Sequence, residues 1–358
     1  MKTIDLEELS DLAVGATLLG TGGGGDPYIG RLMAQAAIER FGPVKMVDIE
    51  ELPDDGLVVP AAMMGAPTVM VEKIPNGDEM KKAVRALERV LNRTTVAIMA
   101  LEAGGINSML PLAVAAELDL PVVNGDSMGR AFPELQMTSL HLQGIPATPM
   151  VLVDEKGNSL VIEAIDNPWT ERLARTTTVA VGGAAIIALY PMTGRECKRA
   201  MVRGTLSRAM QLGSLLGDST RSLEDKGRGL VDIAGGREIF SGKVVDVERR
   251  SGDGFARGTA ALAGIGTHAA HVLRVEFQNE NLIALKDGTV VATVPDLICI
   301  LDRETLIPVT TEVLTYGQRV NVYAFPCDPI WLSKRGLQTV GPRYFGYDLD
   351  YVALGRHS

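Results

Sequence analysis

At 358 residues, 46 % of them hydrophobic, the chain can bury a large core, and its length predicts two domains. A formal charge of −9 excludes a nucleic-acid surface, which needs clustered Lys and Arg to displace counterions from phosphates. No uninterrupted apolar stretch reaches the length of a membrane span, and the acidic start MKTIDLEELSDLAVG lacks the basic flank of a signal peptide, so a cytoplasmic location is expected.

The first half alternates between helix and strand. Residues 5–19 place Leu6, Leu9, Leu12, Ala13 and Ala16 at helical spacing, and Pro27 opens a second helix through RLMAQAAIERF, where its missing N–H goes unmissed. VKMVDI, GLVVPAAM, TVAIMALE and LPVVNGD read as short buried strands, with the helices EMKKAVRALERVL and MLPLAVAAEL between them. That order predicts an N-terminal α/β domain with a mainly parallel sheet, residues 1–167. Residues 168–358 form the C-terminal domain. It has a helix, strand and helix lead-in to Leu216 and is β-rich from about Gly235, where SGDG, KDG and TYG turns punctuate short strands.

The stretch GTGGGGDP, residues 20–27, raises the first chemical question. It does not follow a strand, as a dinucleotide fingerprint would, and no Lys-Ser/Thr pair follows it, as a Walker loop requires. What remains is a run of backbone N–H groups at Gly22, Gly23, Gly24 and Gly25, with Thr21 and Asp26 as polar handles, suited to a carboxylate or a developing oxyanion. A tight helix-to-helix corner is the structural alternative.

Two further clusters follow strands, where ligands of open α/β sheets gather. EAGGINS offers Glu102, Gly104, Gly105 and Asn107. NGDSMGRAFPELQMTSLH offers Asp126, Arg130, Glu134, Gln136 and His141, either as a site or as an acidic loop with an internal Arg130–Glu134 ion pair. Asp126 with His141 is placed for proton transfer or for a divalent metal such as zinc, with His271 as a third ligand, although a core histidine explains His141 nearly as well. His268 and His271, three apart at the start of a strand, fall on opposite faces. His357 lies in a charged tail.

Three scattered cysteines make no disulfide framework. Cys299 sits in an apolar strand. Cys197 has Arg195, Lys198 and Arg199 near it in sequence, which lower a thiol pKa if they face it. Cys327, between two prolines in AFPCDPIW, is a candidate nucleophile.

The segments GTGGGGDPYIGR, MGAPTVMVEK, EAGGINSMLPLAVAAELDLPVVNGDSMGRAFPELQMTS, FQNENLIA, ATVPDLI and GLQTVGPRYFGYD together resemble the S-methyl thiohydantoin desulfurase family across nearly the whole chain. The resemblance implies a division near residues 165–170 and a hydrolase on a thiohydantoin or hydantoin-type five-membered ring, in which water replaces a methylthio group. It also implies an association with hydantoinase or oxoprolinase type subunits. On that reading the glycine loop with Gly104, Gly105, Asn107 and Arg130 binds the ring or a small carboxylate. Catalysis falls to Cys327, or to Asp126, His141 and Glu102. The alternative is a non-catalytic, small-acid-binding accessory subunit, and a homo-oligomer fits either.

Overall fold

The computed structural model describes residues 2–25, 27–65, 69, 77–252 and 255–354, so Asp26 and His357 lie outside the described residues. In chain order the first part runs β1 (Lys2–Ile4), α1 (Leu6–Leu19), α2 (Pro27–Phe41), β2 (Val44–Val47), β3 (Leu57–Gly65), α3 (Glu79–Leu91), β4 (Thr95–Ala100), α4 (Gly105–Leu118), β5 (Val122–Val123), β6 (Gly125–Asp126), α5 (Ser139–Leu142), β7 (Met150–Val153) and β8 (Ser159–Ile162). The middle runs α6 (Asn167–Ala180), β9 (Ala184–Ala188), β10 (Met192–Thr193), α7 (Gly194–Ala200), β11 (Val202–Arg203), α8 (Thr205–Gly217) and α9 (Leu223–Ala234). The last part runs β12 (Arg237–Gly252), β13 (Phe255–Gly264), β14 (Val272–Gln278), β15 (Glu280–Lys286), β16 (Thr289–Thr293), β17 (Leu297–Asp302), β18 (Arg319–Phe325) and α10 (Lys334–Val340).

The N-terminal domain is α/β, with a parallel block, β2-β5-β4-β3, at the centre of its sheet. Antiparallel strands extend the block: β1 joins β2 on one side, and β9, β7 and β8 continue past β3 on the other. β9 is the strand of the expected helix, strand and helix lead-in, and it is built into the first domain's sheet. It and β10 pair with successive parts of β3, Ala61–Gly65 and then Leu57–Val58, because Tyr190 between them takes a left-handed φ of 48°. The lead-in also contains the short helix α7, capped by Thr193 and Glu196, which the two-residue strand β11 separates from α8.

The C-terminal domain is an antiparallel seven-stranded sheet in the order β16-β15-β14-β13-β12-β18-β17. The apolar run VVATVPDLICILD divides into β16 and β17 at Pro295, which has no N–H to give a ladder. Phe240, Val244, Leu262, Leu273, Val275, Ile298 and Val322 form its separate core. Among the described residues no helix is long and apolar enough to cross a membrane.

Helix α1 starts where Asp5 accepts the Glu7 N–H at 2.8 Å and Glu8 reaches back to the Asp5 N–H at 3.2 Å, a capping box. It packs on α8 at backbone contact. A Cβ at Gly15 would land on the Ala209 carbonyl, and one at Gly213 on that of Asp11. Gly15→Ala is therefore expected to lower the thermal midpoint through an overpacking cost of roughly 1–3 kcal/mol. An unchanged midpoint in a thermal melt would contradict this packing.

Candidate functional site

The glycine loop is the junction of the two domains. Thr21, Gly22, Gly24 and Gly25 all take positive φ, which turns the chain sharply between α1 and α2. Its carbonyls are taken by neighbours: Asn281 N–H donates to Thr21 O at 2.8 Å, Thr311 N–H to Gly22 O at 2.8 Å and Ile106 N–H to Gly24 O at 2.8 Å. At Gly24 (φ 71°) a Cβ would stand 2.6 Å from the Gly104 Cα, so the GGGG and EAGG stretches touch backbone to backbone. The helix-to-helix corner and the expected site are thus one feature, and the corner is stitched to both β15 and α4.

Glu102 lies just past the C-terminal end of the parallel strand β4, in the turn that Gly104 closes as the N-cap of α4. Asn107, in the first turn of α4, donates to Glu102 Oε1 at 2.7 Å and accepts the Met63 N–H at 2.7 Å, which fixes the carboxyl against the end of β3. Phe132 N–H approaches Oε2 at 3.3 Å. Burial pushes the Glu102 carboxyl up to about 7, although both donors and the Arg130 charge pull it down.

Glu280, the first residue of β15, enters from the other domain. It is buried against Gly23, and its Oε2 has no hydrogen-bond partner. Burial raises its pKa well above the ordinary carboxyl range, the Glu102 charge raises it further, and Arg130 opposes both. Glu102 and Glu280 face one small cavity of about 60 Å³, shared with Gly24, Asn107, Met63, Met128 and Asn279. Two buried carboxyls that share one cavity, both pushed up by burial, are an arrangement that can divide into an acid and a base.

Behind this pair, Arg130 is completely buried. Its Nε donates to Ala131 O at 3.0 Å, and one terminal nitrogen donates to Pro295 O and Asp296 O, both at 2.8 Å. The other donates to Thr21 Oγ1 at 2.7 Å. The guanidinium also stacks on Phe132, 4.5 Å from its centroid. Thr21 and Arg130, both expected to bind substrate, bind each other and clasp the two domains. The alternative Arg130–Glu134 pair does not form either: Glu134 accepts from Tyr344 OH at 2.6 Å and from Gln136 Nε2.

The other expected catalytic and metal residues do not line this cavity, although the Asp126 charge helps raise the Glu102 carboxyl. Asp126 is buried, accepts the Met128 and Gly129 N–H groups at 2.5 and 2.6 Å, and so shapes the loop that places Met128 in the cavity wall. Burial raises its carboxyl to about 6. His141 meets the Asn167 amide at 3.1 Å, with burial and Arg335 lowering its pKa. His271 pairs with Asp287 at 2.5 Å on the exposed edge of the β-domain, and His268 lies near Lys286. Asp126, His141 and His271 therefore have three separate sets of partners. Among the described residues no group of three or more His, Cys, Asp or Glu is placed to hold a metal, so this donor set does not fit a metal site.

Cys327 is buried, its N–H donates to Asp296 Oδ1 at 2.9 Å, and it does not line the cavity. Burial and the Asp296 carboxylate push its thiol far up, which opposes thiolate formation. Burial also outweighs the basic neighbours of Cys197, whose thiol is pushed up to about 12 against Met201. Cys299, likewise pushed up to about 12, donates to Leu18 O within the core. Glu280 is the site residue that the clusters read from the sequence did not include.

The chain matches the model of the S-Me-THD-like N-terminal domain over residues 7–164 and that of the S-Me-THD-like C-terminal domain over residues 165–354. Its fold is similar to the X-ray crystal structure of a protein from Chromobacterium violaceum. That similarity has a TM-score of 0.83 at 25 % identity and covers 98 % of this chain and 99 % of that one. No curated protein matches it.

Proposed function

The chain belongs to the S-Me-THD-like family, and from that premise we propose that it is a hydrolase that replaces the methylthio group of an S-methyl thiohydantoin-type ring by water. The observation that carries this reading is the buried Glu102–Glu280 pair across the domain junction, two carboxyls in one cavity that burial pushes up.

Glu102, whose charged form is favoured by the Asn107 and Phe132 donors, is the general base, and Glu280, whose Oε2 has no hydrogen-bond partner and whose protonated form is favoured by burial and the Glu102 charge, is the general acid. Glu102 takes a proton from water as its oxygen bonds to the ring carbon bearing sulfur. The carbon–sulfur bond then breaks. Glu280 delivers its proton to the departing methylthiolate, and Glu102 returns the water proton to the ring nitrogen, leaving methanethiol and a hydantoin carbonyl. The second proton of the attacking water restores Glu280. Asn107 orients Glu102 for this work, and Met128 and Phe132 keep bulk water from the pair.

The pH dependence follows from the two roles. Activity should rise as pH passes through about 7, where Glu102 loses its proton, and fall at higher pH as Glu280 loses its own. Thiol release from an S-methyl thiohydantoin, followed across pH, tests both reaction and assignment. A bell-shaped profile supports them; activity that persists far below pH 6 excludes Glu102 as base, and no release at any pH favours the accessory-subunit reading.

A further inference from the structure

The sheet of the first domain ends on β8, which lies last in the strand order and pairs only with β7. The turn before it fixes which backbone groups face out. The Asp154 N–H donates to Asn158 O at 3.1 Å and the Gly157 N–H to Asp154 O at 3.0 Å, so Asp154 and Asn158 close the hairpin as a hydrogen-bonded pair. Alternation from there turns the Leu160 backbone toward Leu152 and leaves the N–H and C=O groups of Ser159 and Val161 pointing away from β7, with no partner among the described residues. The side chains at this edge are apolar and uncovered: Val161 is 50 % exposed, Ile165 in the turn to α6 is 87 % exposed, and Leu160 and, on α6, Trp169 and Leu173 are exposed as well.

Charge of both signs lies along the same edge. Gly157 and Ser159 border a groove that α3 lines with Asp78, Lys81, Lys82, Arg85 and Arg89, a cationic strip in a chain of net charge −9. Lys81 is paired with Glu117 at 2.8 Å and Arg85 with Glu88 at 2.7 Å, whereas Lys82 and Arg89 make no ion pair among the described residues. Two positions past Val161, the exposed Glu163 likewise makes no ion pair among the described residues.

We infer that β8 is a dimerisation edge whose occupant is the β8 edge of a second copy of this chain, joined antiparallel about a two-fold axis at Val161; the inference is independent of the proposed reaction. In that register Val161 opposes Val161, and Ser159 of each copy opposes Glu163 of the other, so the outward backbone groups of the two strands satisfy one another. Residues opposite each other in an antiparallel pair share a face, and Ser159 lies on the face that carries α3, so each Glu163 arrives at the cationic groove of the other copy. The apolar surface of Leu160, Ile165, Trp169 and Leu173 lies beside the seam, and a two-fold contact needs only one such patch, repeated on both copies. An open edge, an apolar rim and opposite charges in matching register are what strand pairing between copies requires.

Analytical ultracentrifugation of the full chain is the test. The parent should sediment as a dimer at micromolar concentration. Val161→Lys sets two ammonium groups against each other on the axis and should sediment as a monomer with an unchanged circular dichroism spectrum, since that side chain is half exposed in the single copy. Glu163→Lys should raise the dimer Kd about tenfold or more, and adding Lys82→Glu and Arg89→Glu to it should recover most of that loss, because the swap restores opposite charges across the seam. A monomeric parent, or a dimer that both Val161→Lys and Glu163→Lys leave intact, would overturn the inference. If Val161→Lys does not fold, Glu163→Lys and its charge-swapped rescue decide: a weakened dimer that the swap restores supports the pairing, and an unweakened or unrestored one places the contact elsewhere.

Discussion

Glu102→Gln is expected to lower the turnover of an S-methyl thiohydantoin by about 10²–10⁴-fold, the usual contribution of a positioned general base. The amide keeps the volume of the acid and its Oε1 still accepts from Asn107, so the ring should bind with a KM close to that of the parent. Its nitrogen replaces Oε2 beside the Phe132 N–H, but the original bond there is long, 3.3 Å, and losing it costs on the order of 1 kcal/mol, not the fold. Circular dichroism and a thermal melt should therefore match the parent while thiol release collapses. Release within a few-fold of the parent would remove Glu102 from the chemistry. Glu280→Gln should act differently: a methylthiolate leaves with little help, so its smaller loss should be accompanied by disappearance of the basic limb of the pH profile.

Arg130→Met is expected to destabilise the protein by roughly 3–5 kcal/mol, as removal of one partner from a buried charged network generally does. The carbonyls of Ala131, Pro295 and Asp296 and the Thr21 hydroxyl all lose their donor at once, in a place that water does not reach. Methionine fills most of the volume, which isolates the polar loss from a cavity effect. Lysine should not rescue it, because one ammonium cannot span acceptors that a planar fork bridges. The midpoint of urea denaturation, read by Trp331 fluorescence beside Phe132, reports the effect. A midpoint equal to that of the parent would mean that the clasp does not hold the domains together.

The sequence shows its helices well because apolar spacing is a local property. Leu9, Leu12, Ala13 and Ala16 are all buried along α1, and α2 begins at Pro27 as its ring geometry dictates. Strands of the parallel block are legible for the same reason, being short and mostly apolar. The placement of β9 is not, since AAIIA looks the same whether it pairs within its own domain or, as it does, with β3 and β7 of the other.

The site divides in the same way. Glu102, Asn107 and Gly24 stand out because strand ends and glycine runs mark them locally. Glu280 does not, because in FQNENLIA it reads as one polar residue among four. The signal was available in the composition of the strand, where Glu280 and Asn281 open the apolar run LIAL, but only the pairing of Asn281 with Thr21 reveals what Glu280 faces. Arg130 and Thr21 were legible as polar residues and illegible as partners, since 109 positions separate them.

The position of β9 also constrains how the protein is made. Between β3 and β7 there is a vacant place in the sheet until residues 184–188 occupy it, so a nascent chain that ends at residue 164, where one matched segment gives way to the next, carries two open strand edges. The first domain consequently cannot finish folding vectorially from its own segment. It must wait on the ribosome for the start of the second, and expression of residues 7–164 alone would present those edges to other chains.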